Sequence, residues 1–188
     1  MKEDCISYYR IAKAQLYYAS LGYINIETPW FVSLDAISVT LPSERRPILS
    51  ALGALVGSAE QGFIQMMLDG TLKPGKYQST GPCFRDEPNY DDMHRPAFMK
   101  TELIWYKPER AEESLQVVLN NALSCFRDIF GHYDVATVYT EEGIDLNING
   151  IEIGSYGIRR MQDHSWIYGT GIAEPRFSLA IRNPCAVQ

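Results

Sequence analysis

The sequence has few cysteines and no long apolar run, and each absence excludes a class of protein. The 4 cysteines (5, 83, 125 and 185) lie far apart and include no Cys-x-x-Cys pair. Neither a zinc knuckle nor a disulfide framework is therefore indicated, and we expect reduced thiols in a cytoplasmic protein. No stretch approaches the roughly 20 apolar residues that cross a bilayer. The first residues, Met-Lys-Glu-Asp-Cys, do not resemble a signal peptide, so no membrane partner is expected.

The sequence also lacks an excess of positive charge. Its formal net charge is −6 over 188 residues. A protein that binds RNA unaided usually has a basic face, because phosphate neutralisation supplies much of the affinity. A local basic patch is still compatible with this total. The length and the apolar fraction of 46% are typical of one globular domain, which we expect to span residues 1–188.

The most informative stretch predicts a strand that ends near Glu87, an acidic polar loop, and a returning strand over Ala97–Tyr106. Side chains alternate along strands, so Arg85 and Glu87 are expected to share one face. Three further side chains share a face of the returning strand, namely Phe98, Lys100 and Glu102. A cation, a carboxylate and an aromatic ring above a sheet suit a nucleotide. The guanidinium binds phosphate, the carboxylate accepts from an amino group, and the ring stacks on the base.

This stretch resembles motif 2 of the class II aminoacyl-tRNA synthetases. The segment Cys83-Phe-Arg-Asp-Glu87 is most similar to the aspartyl, asparaginyl and lysyl branch. The resemblance implies that Arg85 stabilises charge on the α-phosphate of ATP, that Phe98 stacks on the adenine, and that Glu87 orients the adenine or the substrate's amino group. It also implies that His94, or Arg95 beside it, closes over the β- and γ-phosphates.

The N-terminal part predicts a helix over Glu3–Leu21, ended by Gly22, and then a short apolar strand that begins at Tyr23 and ends at Pro29. This pair resembles motif 1 of the same family, which implies a homodimer with the proline near the active site. A generic helix and edge strand would give the same pattern. The following segment, Leu34–Ala54, contains two prolines and a polar run and predicts a loop.

A helix is predicted to begin at Ser58. Its position matches the family's Ser-Pro-Gln or Ala-Pro-Glu element, which implies that Glu60 holds the substrate's α-amino group. The alternative is that Glu60 only complements the helix dipole. A second long helix is predicted over Pro108–Phe130, with Gly131 at its end, and is expected to cover one sheet face.

Asn149-Gly150 lies between two alternating apolar runs and predicts a two-residue β-hairpin. In that register Asn147 faces Glu152, and Asp145 faces Gly154. Asp145 and Glu152 then share one face within reach of one cation, and two carboxylates beside a triphosphate suit Mg²⁺. A solvated polar face is the alternative. The segment resembles the family's Asp-(x)-Asn-Gly-(x)-Glu-(apolar)-Gly-Gly, whose acids bind the metal and ATP.

Arg159 follows Glu152 by seven positions, where the aspartyl and asparaginyl enzymes have the arginine that reads the substrate side chain. Strict alternation would place these two residues on opposite faces, so the assignment requires a β-bulge near Gly154 and Gly157. Lys100, with Glu102 on the same face, is a second inward cation. Two cations near the pocket favour an acidic amino acid such as aspartate, or a free α-carboxylate held before reaction. Phe63 stands where the family has an aspartate-reading lysine, which counts against aspartate.

The segment from Tyr168 to Ile181 resembles motif 3. Two of its residues, Gly169 and Gly171, are expected to let the strand approach the nucleotide. Arg176 is implied to hold the γ-phosphate and, with Phe98, to sandwich the adenine. Ala173 replaces the usual third glycine, and Glu174-Pro175 replaces an apolar–acid pair. No role is assigned to His132 or His164.

Three motifs in the right order imply an α+β fold, with an antiparallel sheet of about six strands flanked by helices. The implied activity is ATP- and Mg²⁺-dependent formation of an aminoacyl-adenylate, with transfer to tRNA, to a carrier protein or to a small nucleophile. The length leaves no room for this branch's anticodon-binding domain, so a minimal enzyme is the first hypothesis. A non-catalytic regulatory or interaction module is the second, and a tRNA-acting fragment with its RNA-binding part on another chain is the third. A site that has lost its function should lack several of five residue types, and all five are present, namely Arg85, Glu87, Phe98, Glu152 and Arg176.

Overall fold

The computed structural model describes residues 6–43, 45–131 and 133–182. Predictions that fall on residues 1–5, on Glu44, on His132 or on 183–188 lie outside the described residues. These include the first residues of the helix predicted from Glu3, the terminal cysteines at 5 and 185, and His132. The elements in chain order are α1 Tyr8–Ser20, β1 Ile24–Asn25, β2 Phe31–Val32, α2 Leu34–Ser38, β3 Leu49–Ser50, β4 Gly53–Leu55, α3 Ala59–Leu68, β5 Gly75–Phe84, β6 Ala97–Tyr106, α4 Ala111–Ser124, β7 Ala136–Tyr139, β8 Ile144–Ile148, β9 Ile151–Met161, β10 His164–Glu174 and α5 Arg176–Arg182.

The main sheet has 7 strands in the order β1-β5-β6-β10-β9-β8-β7. Every neighbouring pair is antiparallel except β1 and β5, which run parallel. The predicted α+β fold with an antiparallel sheet flanked by helices is confirmed. The sheet has one strand more than the six expected. Its two edge strands are the two-residue β1, which pairs with β5, and the exposed β7, which pairs with β8. A separate 3-stranded sheet has the order β2-β4-β3.

The helices divide the two faces of the main sheet unequally. α1 and α4 pack on one face, where an apolar cluster includes Tyr18, Leu103 and Tyr156. α3 covers part of the opposite face, where Ile104 and Trp166 belong to a second cluster. Leu103 and Ile104 are consecutive in β6 yet lie in different clusters, because successive side chains point to opposite faces. Beyond α3 the same face is open, at the end of β5, the start of β6 and the end of β10.

The β8–β9 hairpin turns at Asn149 and Gly150, whose φ angles of 52° and 76° suit a turn with left-handed backbone at both positions. The predicted pair of Asn147 with Glu152 is confirmed. The predicted pair of Asp145 with Gly154 is wrong, because Asp145 pairs with Ser155 and Leu146 pairs with Gly154. Ile153 is therefore an extra residue in β9, and this β-bulge changes the alternation of the residues that follow it.

Other differences concern element boundaries. The segment predicted as a loop over Leu34–Ala54 contains α2, β3 and most of β4. Of the strand predicted from Tyr23 to Pro29, only the two residues of β1 form a strand. The long helix predicted over Pro108–Phe130 comprises α4 and a π-helical turn at Cys125–Ile129. β5 ends at Phe84, although the Arg85 N–H still donates to the Pro96 carbonyl at 3.0 Å. Among the described residues, no helix has the length and apolar character needed to cross a membrane.

Candidate functional site

A cavity of about 730 Å³ lies on the open part of the sheet face that α3 partly covers. Its wall is formed by the loop after α2, the start of α3, the connection from β5 to β6, and the ends of β8, β9 and β10 with the start of α5. Segments from most of the chain therefore meet at one place. The predicted site residues that line the cavity are Glu60, Arg85, Glu87, His94, Phe98, Lys100, Asp145, Glu152, Arg159 and Arg176.

Arg85 stands over one wall of the cavity with its guanidinium carbon 5.0 Å from the centre of the Phe98 ring. Its Nε donates to the Gly57 carbonyl at 3.4 Å, which fixes the direction of the side chain. Burial lowers the pKa of Arg85, and the positive charges of Arg176 and Arg45 lower it further. Three guanidinium groups thus share one partly dehydrated cavity, an arrangement that favours a polyanionic ligand.

Arg45 is a cavity residue that sequence reasoning missed. It lies in the loop between α2 and β3, and its Nη1 is 2.7 Å from Oε1 of Glu87. Glu87 is only 8% exposed, so Arg45 supplies positive charge to a largely dehydrated carboxylate. The only signal in the sequence was the Arg45-Arg46 pair, which is equally typical of an exposed loop.

The predicted metal-binding carboxylates both line the cavity. Glu152 lies 3.7 Å from Nη1 of Arg176, which begins α5, and Asp145 lies on the neighbouring strand β8. Within residues 6–43, 45–131 and 133–182, no group of three or more His, Cys, Asp or Glu could hold a metal ion by itself. Two carboxylates suit Mg²⁺ only where phosphate oxygens complete its coordination shell, so the donor set fits a metal that arrives with a nucleotide.

The other end of the cavity contains two pairs of opposite charge. The first pair is Glu60 with Arg159. Glu60 accepts a hydrogen bond from the Trp166 indole N–H at 2.8 Å, and Nε of Arg159 lies 3.7 Å from the same oxygen. The Arg159 guanidinium also lies 4.4 Å from the centre of the Tyr168 ring. The bulge at Ile153 is what brings Arg159 to the cavity on the same side as Glu152, as the sequence assignment required.

Lys100 and Glu102 form the second pair. Nζ of Lys100 lies 2.8 Å from Oε2 of Glu102 and 3.1 Å from Oε1, and Glu102 is fully buried. Burial raises the pKa of Glu102; Lys100 opposes this shift, and the negative charge of Glu60 adds to it. The two pairs therefore interact, and together they give this end of the cavity a nearly balanced charge.

Three predicted site residues do not line the cavity. Glu102 is fully buried and is paired with Lys100, which does line the cavity. A Cβ on Gly169 would lie 2.6 Å from Cδ1 of Tyr156, and one on Gly171 would lie 3.0 Å from Cε2 of Tyr18. Both glycines thus face α1 and α4, whereas Thr170 between them lines the cavity. Their small size permits helix–sheet packing on the opposite face, a role that the sequence did not predict, and the expectation that they let the strand approach a nucleotide stays a prediction.

The histidines differ in their surroundings. His94 lies in the loop between β5 and β6, with its Nδ1 3.0 Å from Oδ1 of Asp91, and it lines the cavity. His164 lies away from it, where its Nδ1 is 2.6 Å from the Tyr106 hydroxyl. This contact gives His164 a structural partner that the sequence did not reveal.

No family model and no curated protein matches this sequence. Solved structures do match it. Seryl-tRNA synthetase from Pyrococcus horikoshii complexed with ATP has a TM-score of 0.72 and 18% identity, over 91% of this chain and 49% of that one. PylSc, a pyrrolysyl-tRNA synthetase from Desulfitobacterium hafniense, has a TM-score of 0.70 and 17% identity, over 93% and 68%. The cytoplasmic serine-tRNA ligase from Naegleria fowleri in complex with AMP has a TM-score of 0.70 and 16% identity, over 91% and 52%.

The fold is that of a class II aminoacyl-tRNA synthetase catalytic core. The chain spans about half the length of the two serine enzymes that it matches. At these identities the likeness defines the fold and leaves the activity open. These structures are seryl and pyrrolysyl enzymes, so the similarity to the aspartyl, asparaginyl and lysyl branch remains a prediction from Cys83–Glu87.

Proposed function

We propose that this chain uses ATP to activate an amino acid as an aminoacyl-adenylate. The observation that carries the proposal is the meeting of Arg85, Phe98 and Arg176 in one cavity, although they come from three separate segments. Arg85 already lies against the Phe98 ring, where a guanidinium would meet phosphate beside a stacked base. A cavity of about 730 Å³ is also large enough for a nucleotide and an amino acid together.

In this reaction the carboxylate oxygen of the amino acid attacks the α-phosphorus of ATP, and the bond to the departing pyrophosphate breaks. Arg85 stabilises the charge that develops on the α-phosphate, and Arg176 binds the γ-phosphate while covering the adenine against Phe98. His94, or Arg95 beside it, closes over the β- and γ-phosphates. Mg²⁺, held by Asp145 and Glu152, would offset the charge of the pyrophosphate. The nucleophile is already ionised, so no general base is needed, and positioning and electrostatics supply the rate.

The amino acid would lie at the end of the cavity that contains Glu60 and Arg159. Glu60 would accept from the substrate's ammonium group. Once it does so, Arg159, which is 3.7 Å away, is available to an anionic group. Lys100 supplies a second cation, with Glu102 supporting it from below. These two cations slightly favour an acidic amino acid such as aspartate.

The acceptor of the activated amino acid is tRNA, a carrier protein or another nucleophile. The wall of the cavity carries both signs of charge, with Asp86, Asp92 and Glu142 beside Arg46 and Arg95. It is thus neither the basic stripe expected of an RNA-binding surface nor a uniformly acidic surface. We further propose that the protein is cytoplasmic and a homodimer, with α1 and the segment around Pro29 in the interface.

The proposal is tested by amino-acid-dependent ATP–pyrophosphate exchange with each of the twenty amino acids. Exchange with one of them is expected, and Arg85→Ala should lower its rate about 10²- to 10³-fold, equivalent to roughly 2.7–4 kcal/mol of transition-state stabilisation. Arg160→Ala is the matched control, since Arg160 is exposed on β9 and outside the cavity but removes the same charge. Exchange that depends on aspartate or glutamate would support Arg159 as the reader of the side chain.

No exchange with any amino acid, in protein shown by circular dichroism to be folded, would contradict adenylate formation. It would favour the alternative function, a non-catalytic synthetase-like module with a regulatory or interaction role.

A further inference from the structure

The salt bridge between Arg45 and Glu87 joins parts of the chain that lie far apart in sequence. Arg45 belongs to the loop between α2 and β3, whereas Glu87 follows β5. Their closest atoms, Nη1 and Oε1, are 2.7 Å apart, and both residues line the cavity. At this distance the contact is a charge-assisted hydrogen bond, which is short and directional.

Glu87 needs such a partner because of where it lies. Its side chain is 6% exposed, while that of Arg45 is 30% exposed and reaches water at one end. A carboxylate that loses water must be paired or give up its charge. It also lines a cavity that, under the proposed function, receives a polyphosphate, and like charges there repel. Arg45, together with the nearby positive charge of Arg85, therefore offsets a negative charge that would otherwise oppose the ligand.

The same contact fixes the direction of Glu87. A carboxylate accepts about four hydrogen bonds, so the bond to Arg45 orients the group and leaves capacity for a ligand. The exocyclic amino group of adenine is a donor that a fixed carboxylate accepts. Guanine carries a carbonyl oxygen at the same ring position, and that oxygen is repelled by a carboxylate. An oriented Glu87 thus distinguishes the two purines, whereas a mobile one distinguishes them less.

We propose that Arg45 is a positioning residue that holds Glu87 toward the nucleotide base and thereby sets the preference for adenine over guanine. This inference rests on the proposed function, since it takes the cavity to be a nucleotide site. It goes beyond that function in assigning base selection to an ion pair whose cation lies outside all three motifs. Arg45 acts through Glu87 and does not itself contact the base.

The test measures binding of ATP and GTP by calorimetry in the absence of amino acid, so that it does not depend on turnover. Arg45→Ala should reduce the ratio of ATP to GTP affinity about 10- to 100-fold, the range of one hydrogen bond to a charged group. Arg45→Lys should restore part of that ratio, because a lysine can reach a carboxylate without reproducing the guanidinium geometry. Arg160→Ala controls for the lost charge and should leave the ratio unchanged.

A second pair of variants separates positioning from direct contact with phosphate. In a Glu87→Gln background, Arg45→Ala should change the ATP to GTP ratio less than about twofold, since residues that act as a unit are not additive. Loss of ATP affinity that is equal in both backgrounds, with the base preference intact, would overturn the inference in favour of a phosphate-binding Arg45. An unchanged ratio of ATP to GTP affinity in Arg45→Ala would contradict this inference but not the proposed function. If the folded wild type binds neither nucleotide, both this inference and the proposed function are contradicted.

Discussion

Glu102 and Glu174 are fully buried acids, and each is paired differently. Lys100 pairs with Glu102, while Glu174 accepts from the Ser178 hydroxyl at 2.6 Å and lies 3.7 Å from Arg10. Burial raises the pKa of both carboxyls despite these partners, because it disfavours the charged form more than the partners favour it. A raised pKa in the folded state means that stability is fully present below the carboxyl's ordinary pKa and is lost as pH rises through the folded value.

This sign gives a prediction for Glu174→Gln. The ordinary carboxyl pKa is about 4.5, so the wild type should lose stability relative to the variant as pH rises from about 4.5 toward neutrality. Urea unfolding of both proteins across this range measures the difference in the free energy of unfolding. The amide keeps the size of the side chain and can still accept from Ser178, so the comparison isolates the charge. A difference that does not vary with pH would show that burial of Glu174 carries no such cost.

Gly169 allows β10 and α4 to pack closely. An added Cβ would lie 2.6 Å from Cδ1 of Tyr156 and 3.0 Å from Cγ1 of Val118, and both of those residues are buried. We expect Gly169→Ala to lower the free energy of unfolding by about 1–3 kcal/mol, as overpacking usually does. Chemical denaturation measures this change.

Gly57→Ala is the matched control, because its added Cβ would find its nearest atom at 3.6 Å, an ordinary contact. It should cost less stability than the change at Gly169. If Gly169→Ala keeps full stability but weakens ATP binding, then the glycine serves the nucleotide as the motif resemblance implied, and our placement of it is wrong.

Local signals predicted the elements that depend on local chemistry. Asn149-Gly150 specified the turn and its nearest pairs, and period-two alternation placed Phe98 and Lys100 on the cavity face. The bulge at Ile153 was required by the role given to Arg159, but its position depends on how β8 pairs across the sheet. The short elements within 34–55 have two to five residues each, too few for a periodic pattern.

Contacts between residues that are far apart in the chain could not be predicted from the sequence. Arg45 meets Glu87 only because the loop after α2 returns over the end of β5, and no spacing rule connects the two positions. The same holds for His164 with Tyr106 and for Arg10 with Glu174. The packing of the β10 glycines against the helices was not predicted, because it depends on register, and Gly171 is itself an extra residue between Thr170 and Ile172.

The molecule as a whole is acidic, with a formal net charge of −6, yet its cavity gathers three guanidinium groups at one end. These three groups attract an anion locally, within a cavity whose wall also carries acidic residues such as Asp86, Asp92 and Glu142. The effect should weaken as salt screens the field over about 8–10 Å. Charge thus favours a small polyanion such as a nucleotide more than it favours an extended polyanion.

Apolar side chains are exposed along the N-terminal part of the chain, including Leu16 at 73% in α1 and Trp30 at 44% before β2. This is the region that resembles motif 1, and we expect it to be covered in a homodimer. Sedimentation velocity should give a dimer for the wild type and a monomer for Leu16→Glu, because a buried unpaired charge opposes association.

Val138→Glu is the control for the dimer experiment. Val138 is also exposed, at 41%, but it lies on β7 at the opposite edge of the sheet from β1. This variant should remain dimeric. A wild type that sediments as a monomer would remove the homodimer from the proposal, while a Leu16→Glu dimer would move the interface elsewhere.

The hydrogen bond from the Trp166 indole to Glu60 makes this tryptophan an intrinsic fluorescent probe of the cavity. Trp166 is fully buried, so its emission depends on this carboxylate and its apolar surroundings more than on solvent. Of the 3 tryptophans, it is the one hydrogen-bonded to the acid that we assign to the substrate's ammonium group. Arrival of a cationic group at Glu60 would alter the field at the indole ring and shift its fluorescence. Occupancy of the amino-acid end of the cavity can therefore be followed in the unlabelled protein, before any chemistry occurs.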